Sequence, residues 1–173
     1  MNMDISDLAN VYAIGYDLQD VKASFNNDLK IGISEVSIDG KQGEILSIPR
    51  WVANLLESEK LVEIQDDDML VSLKQSITKE NIQGEDHVST LEPDFYVKMA
   101  SFMKRLSQQD HDKVESMLNT LIRKRQGKIV RLADSSKMTS DLAEKLSREE
   151  RAFFNAIHSI SVEFKKQIFG GKN

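Results

Sequence analysis

Apolar residues recur at helical spacing near the start of the chain. Successive gaps of 3, 4, 3 and 4 positions place one stripe on a single helix face, formed by Val11, Ile14, Leu18, Val21 and Phe25. The pattern predicts an amphipathic helix over residues 4–25, and the polar residues 26–28 end it. Such a stripe either packs on the rest of the chain or is offered to another subunit, and the sequence leaves both roles open.

The period changes to alternation after residue 28. Leu29, Ile31 and Ile33 alternate with small or polar residues, which is typical of a β-strand. Residues 39–43 (DGKQG) predict a tight turn, and residues 44–48 predict the strand that follows it.

A short helix and a third strand complete this module. Pro49 suits the first turn of a helix, because the N–H that proline lacks would have no partner there. The apolar face of this helix is formed by Trp51, Val52, Leu55 and Leu56, and residues 61–64 predict a closing strand. Residues 29–65 are therefore interpreted as a small β-β-α-β module.

Three consecutive aspartates, residues 66–68, precede the next apolar run. Carboxylates at the start of a helix are stabilised by the positive end of its dipole, so we interpret them as helix-start residues. A carboxylate metal site is the alternative, but no second acidic or histidine cluster marks its other half. Residues 79–90 are polar, contain Gly84 and predict a linker.

The pattern is helical from Leu91 onward. Pro93 opens one helix, and Asp110 is the predicted cap of the next. Ser147 and Glu150 have the spacing of a capping box, and residues 170–171 (GG) end the last helix. The apolar stripe of that last helix is formed by Phe153, Ile157, Ile160, Phe164 and Ile168.

These elements predict an α+β fold that is mostly α-helical, with a helical bundle domain and a small β-rich domain on its N-terminal side. The predicted divisions are an N-terminal helix over 1–28, the β-rich domain over 29–65, a helix and linker over 66–90, and the helical domain over 91–173. The chain of 173 residues is long enough to bury its own core, and its 40% hydrophobic and 29% charged residues are typical of a globular protein.

Charge and composition exclude several classes of function. The formal net charge of −5 gives no overall attraction to nucleic acid, and the absence of cysteine excludes disulfides and thiolate chemistry. No apolar run approaches the roughly 20 residues of a membrane helix, and the N-terminus lacks the pattern of a secretory signal. We therefore expect no membrane contact and an intracellular protein.

Catalytic motifs are absent from the sequence. His87, His111 and His158 lie far apart and form no pair with metal-ligand spacing. Gly40 and Gly43 fit a hairpin turn better than a phosphate-binding loop, and no serine lies in a Gly-x-Ser-x-Gly context. We predict a protein that is not an enzyme, with no catalytic residue, metal or cofactor. An enzyme whose site leaves no motif stays an alternative.

One short segment is strongly basic. It holds five cations in nine residues without an acid between them, namely Arg123, Lys124, Arg125, Lys128 and Arg131. Lys124, Lys128 and Arg131 share one helix face, so with Arg123 they are candidate contacts to phosphates or to acidic groups of a partner. A nucleic-acid-binding module that uses the basic helix 123–131 is the alternative function, although the aromatic residues typical of single-strand binding are missing.

Several segments together resemble subunits of the GINS complex. The resemblance spans residues 29–168 and is carried by residues 43–56 (GEILSIPRWVANLL), 61–64 (LVEI), 91–96 (LEPDFY), 123–133 (RKRQGKIVRLA) and 146–150 (LSREE). The β module precedes the helices, as in the β-domain-first class, and the short chain resembles archaeal members. The segments from 91 onward look more like the helical-first class.

The resemblance implies a non-catalytic scaffold of DNA replication. GINS subunits associate through their helical domains, usually as four chains, so hetero- or homo-tetramers with other GINS subunits are expected. The complex bridges the MCM helicase and a RecJ-like partner and supports primase or polymerase contacts. Contact with DNA is expected to be weak or indirect. The resemblance also implies a cytoplasmic, nucleoid-associated protein, or a nuclear one in a eukaryote.

The candidate subunit interface lies on the helical domain. Phe153 and Phe154 are adjacent and so point about 100° apart, which predicts that the last helix supplies both core and interface. The interface residues predicted are Phe153, Phe154, Ile157 and Phe95, and substituting Phe154 by Asp should impair assembly more than folding. Trp51 and Leu55 are the predicted contacts of the β domain.

Overall fold

The structure is a computed structural model that describes residues 5–33, 36–66 and 68–170. The chain divides into a sheet unit, Asn10–Asp68, and a helical unit, Met69–Asn173 together with Met1–Ala9. The fold is α+β and mostly α-helical, with a small antiparallel sheet region on the N-terminal side, so the predicted fold class is confirmed.

The first helix is shorter than the sequence predicts. Helix α1 is Ile5–Asp17, and strand β1, Asp20–Phe25, follows it. Val21 and Phe25 are four residues apart, a spacing that places two residues on one face of a helix or of a strand. Ala23 between them is also buried, which only the strand explains, and β1 is hydrogen-bonded to neighbours on both sides. The prediction of helix for residues 18–25 is therefore wrong.

Strand β1 is the centre of a three-stranded antiparallel sheet with the order β4-β1-β5. Strand β4 is Ile45–Pro49 and β5 is Val62–Ile64. Residue Ala23 faces Leu46 on one side and Ile64 on the other, so the inward positions of all three strands form one apolar surface.

A separate hairpin pairs β2, Leu29–Ile33, with β3, Val36–Gly40, and residues 34–35 between them lie outside the described residues. The tight turn predicted over residues 39–43 does not join two paired strands, because the strand that follows it pairs with β1. Gly40 continues β3, and a β-carbon there would lie 2.6 Å from the ring of Phe25. The turn falls later, where Gly43 has φ of +81°.

Helix α2, Arg50–Ser58, packs on the sheet, and Pro49, predicted for its first turn, is its N-cap residue and the last residue of β4. Arg50 is buried and donates to both carboxylate oxygens of Asp66, at 2.7 and 2.8 Å, and its guanidinium lies 4.2 Å from the centre of the Tyr16 ring. The sequence predicts Asp66 as a helix-start residue, but in the structure it pairs with Arg50, and the next helix begins at Met69. Asp67 lies outside the described residues.

The helical unit is built from α3 to α7. Their bounds are Met69–Ile82 for α3, Phe95–Met103 for α4, Gln108–Ser135 for α5, Ser140–Lys145 for α6 and Arg148–Phe169 for α7. The linker predicted from residue 79 begins later, because α3 continues to Ile82. Two buried clusters hold the unit: one around Leu73, Met99 and Leu121, and one around Ile129, Leu146 and Phe154.

Side-chain caps define the long helices. The capping box of Ser147 and Glu150 is present at the start of α7, and Gly170 ends the helix with φ of +72°, as predicted. Helix α5 is capped by Ser107, whose hydroxyl accepts from the Asp110 N–H. The predicted cap, Asp110, is thus the third residue of the helix.

Helices α5 and α7 run parallel with a constant offset. Arg125 contacts Glu150, and the Ala133 carbonyl lies 2.8 Å from His158 Nδ1, and both pairs are 25 residues apart in sequence. Because α5 ends at Ser135, this offset carries α7 beyond the end of α5 from about residue 160 onward. Among the described residues, no helix has the length and apolar character needed to cross a membrane.

Candidate subunit interface

A buried ion network joins the helices of the helical unit. Arg125 on α5 is completely buried. Its Nε donates to Glu150 Oε1 at 2.6 Å and its Nη2 to Glu150 Oε2 at 2.8 Å, while its Nη1 donates to Glu80 Oε2 at 2.7 Å. A guanidinium holds both carboxylates well because its donors form a rigid planar fork. One cation on α5 therefore binds both α3 and α7.

Glu80 is the acceptor on α3. It is buried, and it receives the backbone N–H and the hydroxyl of Ser89 at 3.0 and 2.7 Å. Lys128 Nζ lies 2.6 Å from its second oxygen. Burial alone would raise the pKa of Glu80, but the hydrogen bonds from Lys128 and Ser89 and the charge of Arg125 outweigh burial and hold that pKa below its ordinary value.

Glu150 is the acceptor on α7. Besides Arg125, it accepts the hydroxyl of Tyr96 on α4 at 2.8 Å and the backbone N–H of Ser147 at 3.1 Å. Burial and the adjacent charge of Glu150 raise the pKa of Tyr96 far above its ordinary value, so its proton stays in the hydrogen bond. The first turn of α7 is thus fixed to α4 and α5 together.

The basic segment serves the chain itself. Lys128, predicted to contact phosphate or an acidic partner, is buried and donates to the carbonyls of Glu80 and Gln83. Arg131 pairs with Glu85 at 2.8 Å, and Lys124 donates to Asn81. For Lys128 the prediction is corrected, since its charge is already neutralised by a carboxylate of the same chain. Arg123 is exposed on α5.

The last helix carries an exposed apolar stripe. We call it the α7 stripe, and it comprises Phe153, Ile157, Ile160, Phe164 and Ile168. Phe153 and Ile157 are half-buried against the core, whereas Ile160 is 67% and Phe164 62% exposed. The spacing of 4, 3, 4 and 4 keeps all five on one face. The exposed part is the part that extends past the end of α5, and no helix of residues 5–33, 36–66 and 68–170 covers it there.

Two residues predicted for the interface are core residues. Phe154 is 0% exposed and packs with Ile129, Ala133 and Leu146, and Phe95 is 3% exposed in the other cluster. Their side chains are inaccessible to a partner, so the assignment of Phe154 and Phe95 to an interface is corrected. The 100° between adjacent residues does separate Phe154 from Phe153, but Phe154 is the one that faces inward.

Helix α2 turns two apolar side chains outward. Trp51 is 41% and Leu55 53% exposed, and they are four residues apart on one face. Val52, Ala53 and Leu56 form the opposite, buried face. The predicted apolar face of α2 therefore divides into a core side and a solvent side, and Trp51 and Leu55 remain available for a contact.

Two further features carry no assignment. Within the described part of the chain, His111, Asp112 and Glu115 on α5 lie close enough to share an ion, but Asp112 and Glu115 are exposed and exposed carboxylates commonly lie together without one. Val11, Ile14 and Leu18 are exposed, while Tyr16 is buried, alone among the side chains of residues 7–17 in α1.

Comparison with protein-family models shows the family to which the chain belongs. Residues 55–169, more than half of the chain, match the model Sld5, described as the GINS complex protein helical bundle domain. The chain belongs to the GINS family. The GINS helical bundle covers the end of α2, β5 and all helices from α3 to α7. No curated protein matches the chain. Family membership supports a role as a subunit of the GINS replication complex and assembly with other GINS subunits.

Sequence reasoning missed the ion network of this GINS chain. Arg125 lies four residues from both Leu121 and Ile129, which are buried, so the helical period already placed it on the buried face. Its partners Glu80 and Glu150 are 45 and 25 residues away, and no local signal connects them.

Proposed function

We propose that the chain is a non-catalytic scaffold subunit of the GINS complex that bridges and stabilises the MCM replicative helicase assembly. The observation that carries the proposal is the match to the GINS helical bundle over residues 55–169, in a chain whose last helix exposes an apolar stripe. A scaffold needs surfaces for other chains rather than a reaction centre, and exposed apolar patches are typical of such surfaces.

The α7 stripe is the proposed contact with other GINS subunits. Its exposed residues, Ile160, Phe164 and Ile168, are each more than 60% exposed, which is unusual for large apolar side chains clustered on one helix face. Burying them against a similar helix would be favourable by about 25 cal/mol per Å2 of apolar surface. We infer a homo- or hetero-tetramer of the kind that the family forms, with Phe153 and Ile157 at the inner end of the contact.

The outward face of α2 is the proposed contact of the sheet unit. Trp51 and Leu55 offer an aromatic and an aliphatic anchor, a combination that is common at interaction hot spots. We propose that this face meets the MCM helicase, the RecJ-like partner, or primase or polymerase. The sheet unit precedes the main part of the helical unit in sequence, which supports the proposal that the chain is of the β-domain-first class. We propose that it is an archaeal-like member.

A nucleic-acid-binding module is the weaker alternative. Its basic helix would need free cations, but Arg125 and Lys128 are buried in ion pairs and Arg131 pairs with Glu85. Any contact of Arg123 or Lys124 with DNA is therefore proposed to be weak or indirect. A titration of the full chain against DNA at increasing salt tests this alternative, because several phosphate contacts would give a steep salt dependence.

The main test is affinity purification of the tagged full chain from its own cells, with identification of the co-purified proteins by mass spectrometry. We expect other GINS subunits and MCM with the unmodified chain, and loss of the GINS subunits with Phe164→Glu. Ile82→Glu is the matched control, since Ile82 is 78% exposed on α3 and lies outside the stripe. Recovery of the same subunits with Phe164→Glu would reject the stripe as the interface.

A further inference from the structure

We propose that Glu150 is a positioning residue for the α7 stripe: its two-pronged pair with Arg125 fixes the register of α7 on α5, and with it the place of the surface that another subunit contacts. This inference rests on the proposed function of the stripe. It assigns to the buried pair a role in assembly that is distinct from its role in stability.

Apolar packing alone places a single fully buried apolar side chain of α7 against α5. That side chain is Phe154, which packs with Ile129 and Ala133. A shift of α7 by one helical turn, about 5.4 Å, would bring Glu150 or His158 to the place of Phe154. The packing of Phe154 and the ion pair of Glu150 therefore favour the same register, and the ion pair adds the directional contact that apolar packing lacks.

The Arg125–Glu150 pair tolerates a single register. Nε meets Oε1 at 2.6 Å and Nη2 meets Oε2 at 2.8 Å, a fork-to-fork geometry that a shift of one turn would break completely. Both partners are buried, so a broken pair would leave two unsolvated charges. Buried ion pairs often add little net stability over apolar replacements, and their best-attested use is the selection of one register.

The same carboxylate also fixes the start of α7. Glu150 receives the Ser147 N–H of its own capping box and the Tyr96 hydroxyl from α4. Phe153 and Ile157, the first residues of the stripe, follow within two turns. The position of Glu150 therefore sets the position of the stripe from its inner end, and the rest of α7 follows as a rigid helix.

Glu80 supplies the matched control. It binds the same guanidinium at 2.7 Å, is equally buried, and lies on α3, which carries no part of the stripe. Glu80→Gln and Glu150→Gln each neutralise one carboxylate of one arginine with little change of shape. Glutamine at position 150 also retains an acceptor for the capping box. If the network is only structural, the two variants should behave alike.

The chain contains no cysteine, so the register can be measured directly. Ser161 on α7 donates a hydrogen bond to Asp134 on α5, near the end of the parallel contact. Asp134→Cys together with Ser161→Cys places two thiols at this point, and the rate of disulfide formation under mild oxidation reports their proximity. The rate is measured in three versions of the full chain that carry both cysteines. The first has the network unchanged, the second has Glu80→Gln and the third has Glu150→Gln.

The second measurement is assembly with other GINS subunits, at a temperature where each variant is folded by circular dichroism. We expect Glu150→Gln to slow disulfide formation and to weaken assembly, each about tenfold or more, and Glu80→Gln to change both less than about threefold. Arg125→Lys keeps the positive charge but loses the planar guanidinium with its paired donors, and we expect it to behave like Glu150→Gln. If Glu150→Gln does not fold, Arg125→Lys is used in its place in both measurements.

Four outcomes would overturn the inference. Equal effects of Glu80→Gln and Glu150→Gln on both measurements would make the network purely structural. A slower disulfide without weaker assembly would separate register from the interface. Unchanged assembly in Phe164→Glu, run in parallel, would reject the stripe as the interface and this inference with it. Loss of assembly in Phe164→Glu alone would reject the inference only.

Discussion

Arg125 on α5 and Glu150 on α7 form a two-pronged ion pair inside the helical unit, with both bonds at 2.8 Å or less. The third guanidinium nitrogen of Arg125, Nη1, donates to Glu80 on α3. One cation therefore lies between two carboxylates from different helices. Without it, the two anions would be buried together and would repel each other at close range.

Removal of the cation should be strongly destabilising. We expect Arg125→Met to lower the free energy of unfolding by about 3–5 kcal/mol, because it leaves Glu150 buried without a cation and Glu80 with Lys128 alone. Arg131→Met is the control, since its pair with Glu85 is exposed and such pairs contribute about 0–1 kcal/mol. Urea titration followed by circular dichroism measures both variants. An equal, small effect of the two would contradict the role of Arg125.

The network also shows what the sequence could and could not predict. The basic segment around Arg125 was visible, and so was its place on a helix with Leu121 and Ile129. The acceptors of Arg125 could not be recognised in the sequence, because Glu80 falls in a stretch whose polar composition predicts a linker. Pairing between distant residues depends on how helices pack, and the helical period carries no information about that.

Strand β1 also could not be predicted from the local sequence pattern. The 3-4 spacing of apolar residues predicts a helix through Phe25, but a strand also places residues four apart on one face. Burial of Ala23 decides for the strand, and burial depends on β4 and β5, which are distant in sequence. By contrast, the capping box of Ser147 and the helix end at Gly170 depend only on local chemistry, and both are confirmed.

Acid should weaken the helical unit through Glu80. Its pKa is lower in the folded chain than in the unfolded chain, so the unfolded state binds the proton more readily. The contribution of Glu80 to stability is thus complete above the ordinary glutamate pKa of about 4.3, and it is lost as the pH falls through the lower folded-state value. We expect the urea concentration at the unfolding midpoint to decrease as the pH falls below about 4.3. In Glu80→Gln it should decrease less steeply.

The control for this acid titration is Glu85→Gln, which removes an exposed carboxylate close to Glu80 in sequence. Its urea midpoint should fall with acid as in the unmodified chain. If Glu80→Gln and the unmodified chain lose stability with the same slope, the buried carboxylate does not control acid sensitivity.

Two phenylalanines on α7 should separate folding from assembly. Phe154 is 0% exposed and Phe164 62% exposed, on the same helix and ten residues apart. We expect Phe154→Ala to lower the free energy of unfolding by about 3–5 kcal/mol through the cavity it leaves. Phe164→Ala should change it by about 0.5 kcal/mol or less and weaken assembly with other GINS subunits. Sedimentation velocity and urea titration measure the two effects, and a stable Phe154→Ala would contradict the burial.

Two adjacent leucines on α2 should separate folding from partner contact in the sheet unit. Leu56 is buried in the core and Leu55 is exposed beside Trp51, which is the single tryptophan of the chain. We expect Leu56→Ala to lower the free energy of unfolding by about 2–5 kcal/mol, and Leu55→Ala by about 0.5 kcal/mol or less. Because Trp51 is half exposed, its fluorescence should shift to shorter wavelength when a replication partner such as MCM covers it. Leu55→Ala should weaken that binding while leaving the emission of the unbound chain unchanged. A partner that binds the full chain without moving the emission of Trp51 would exclude this face as the contact.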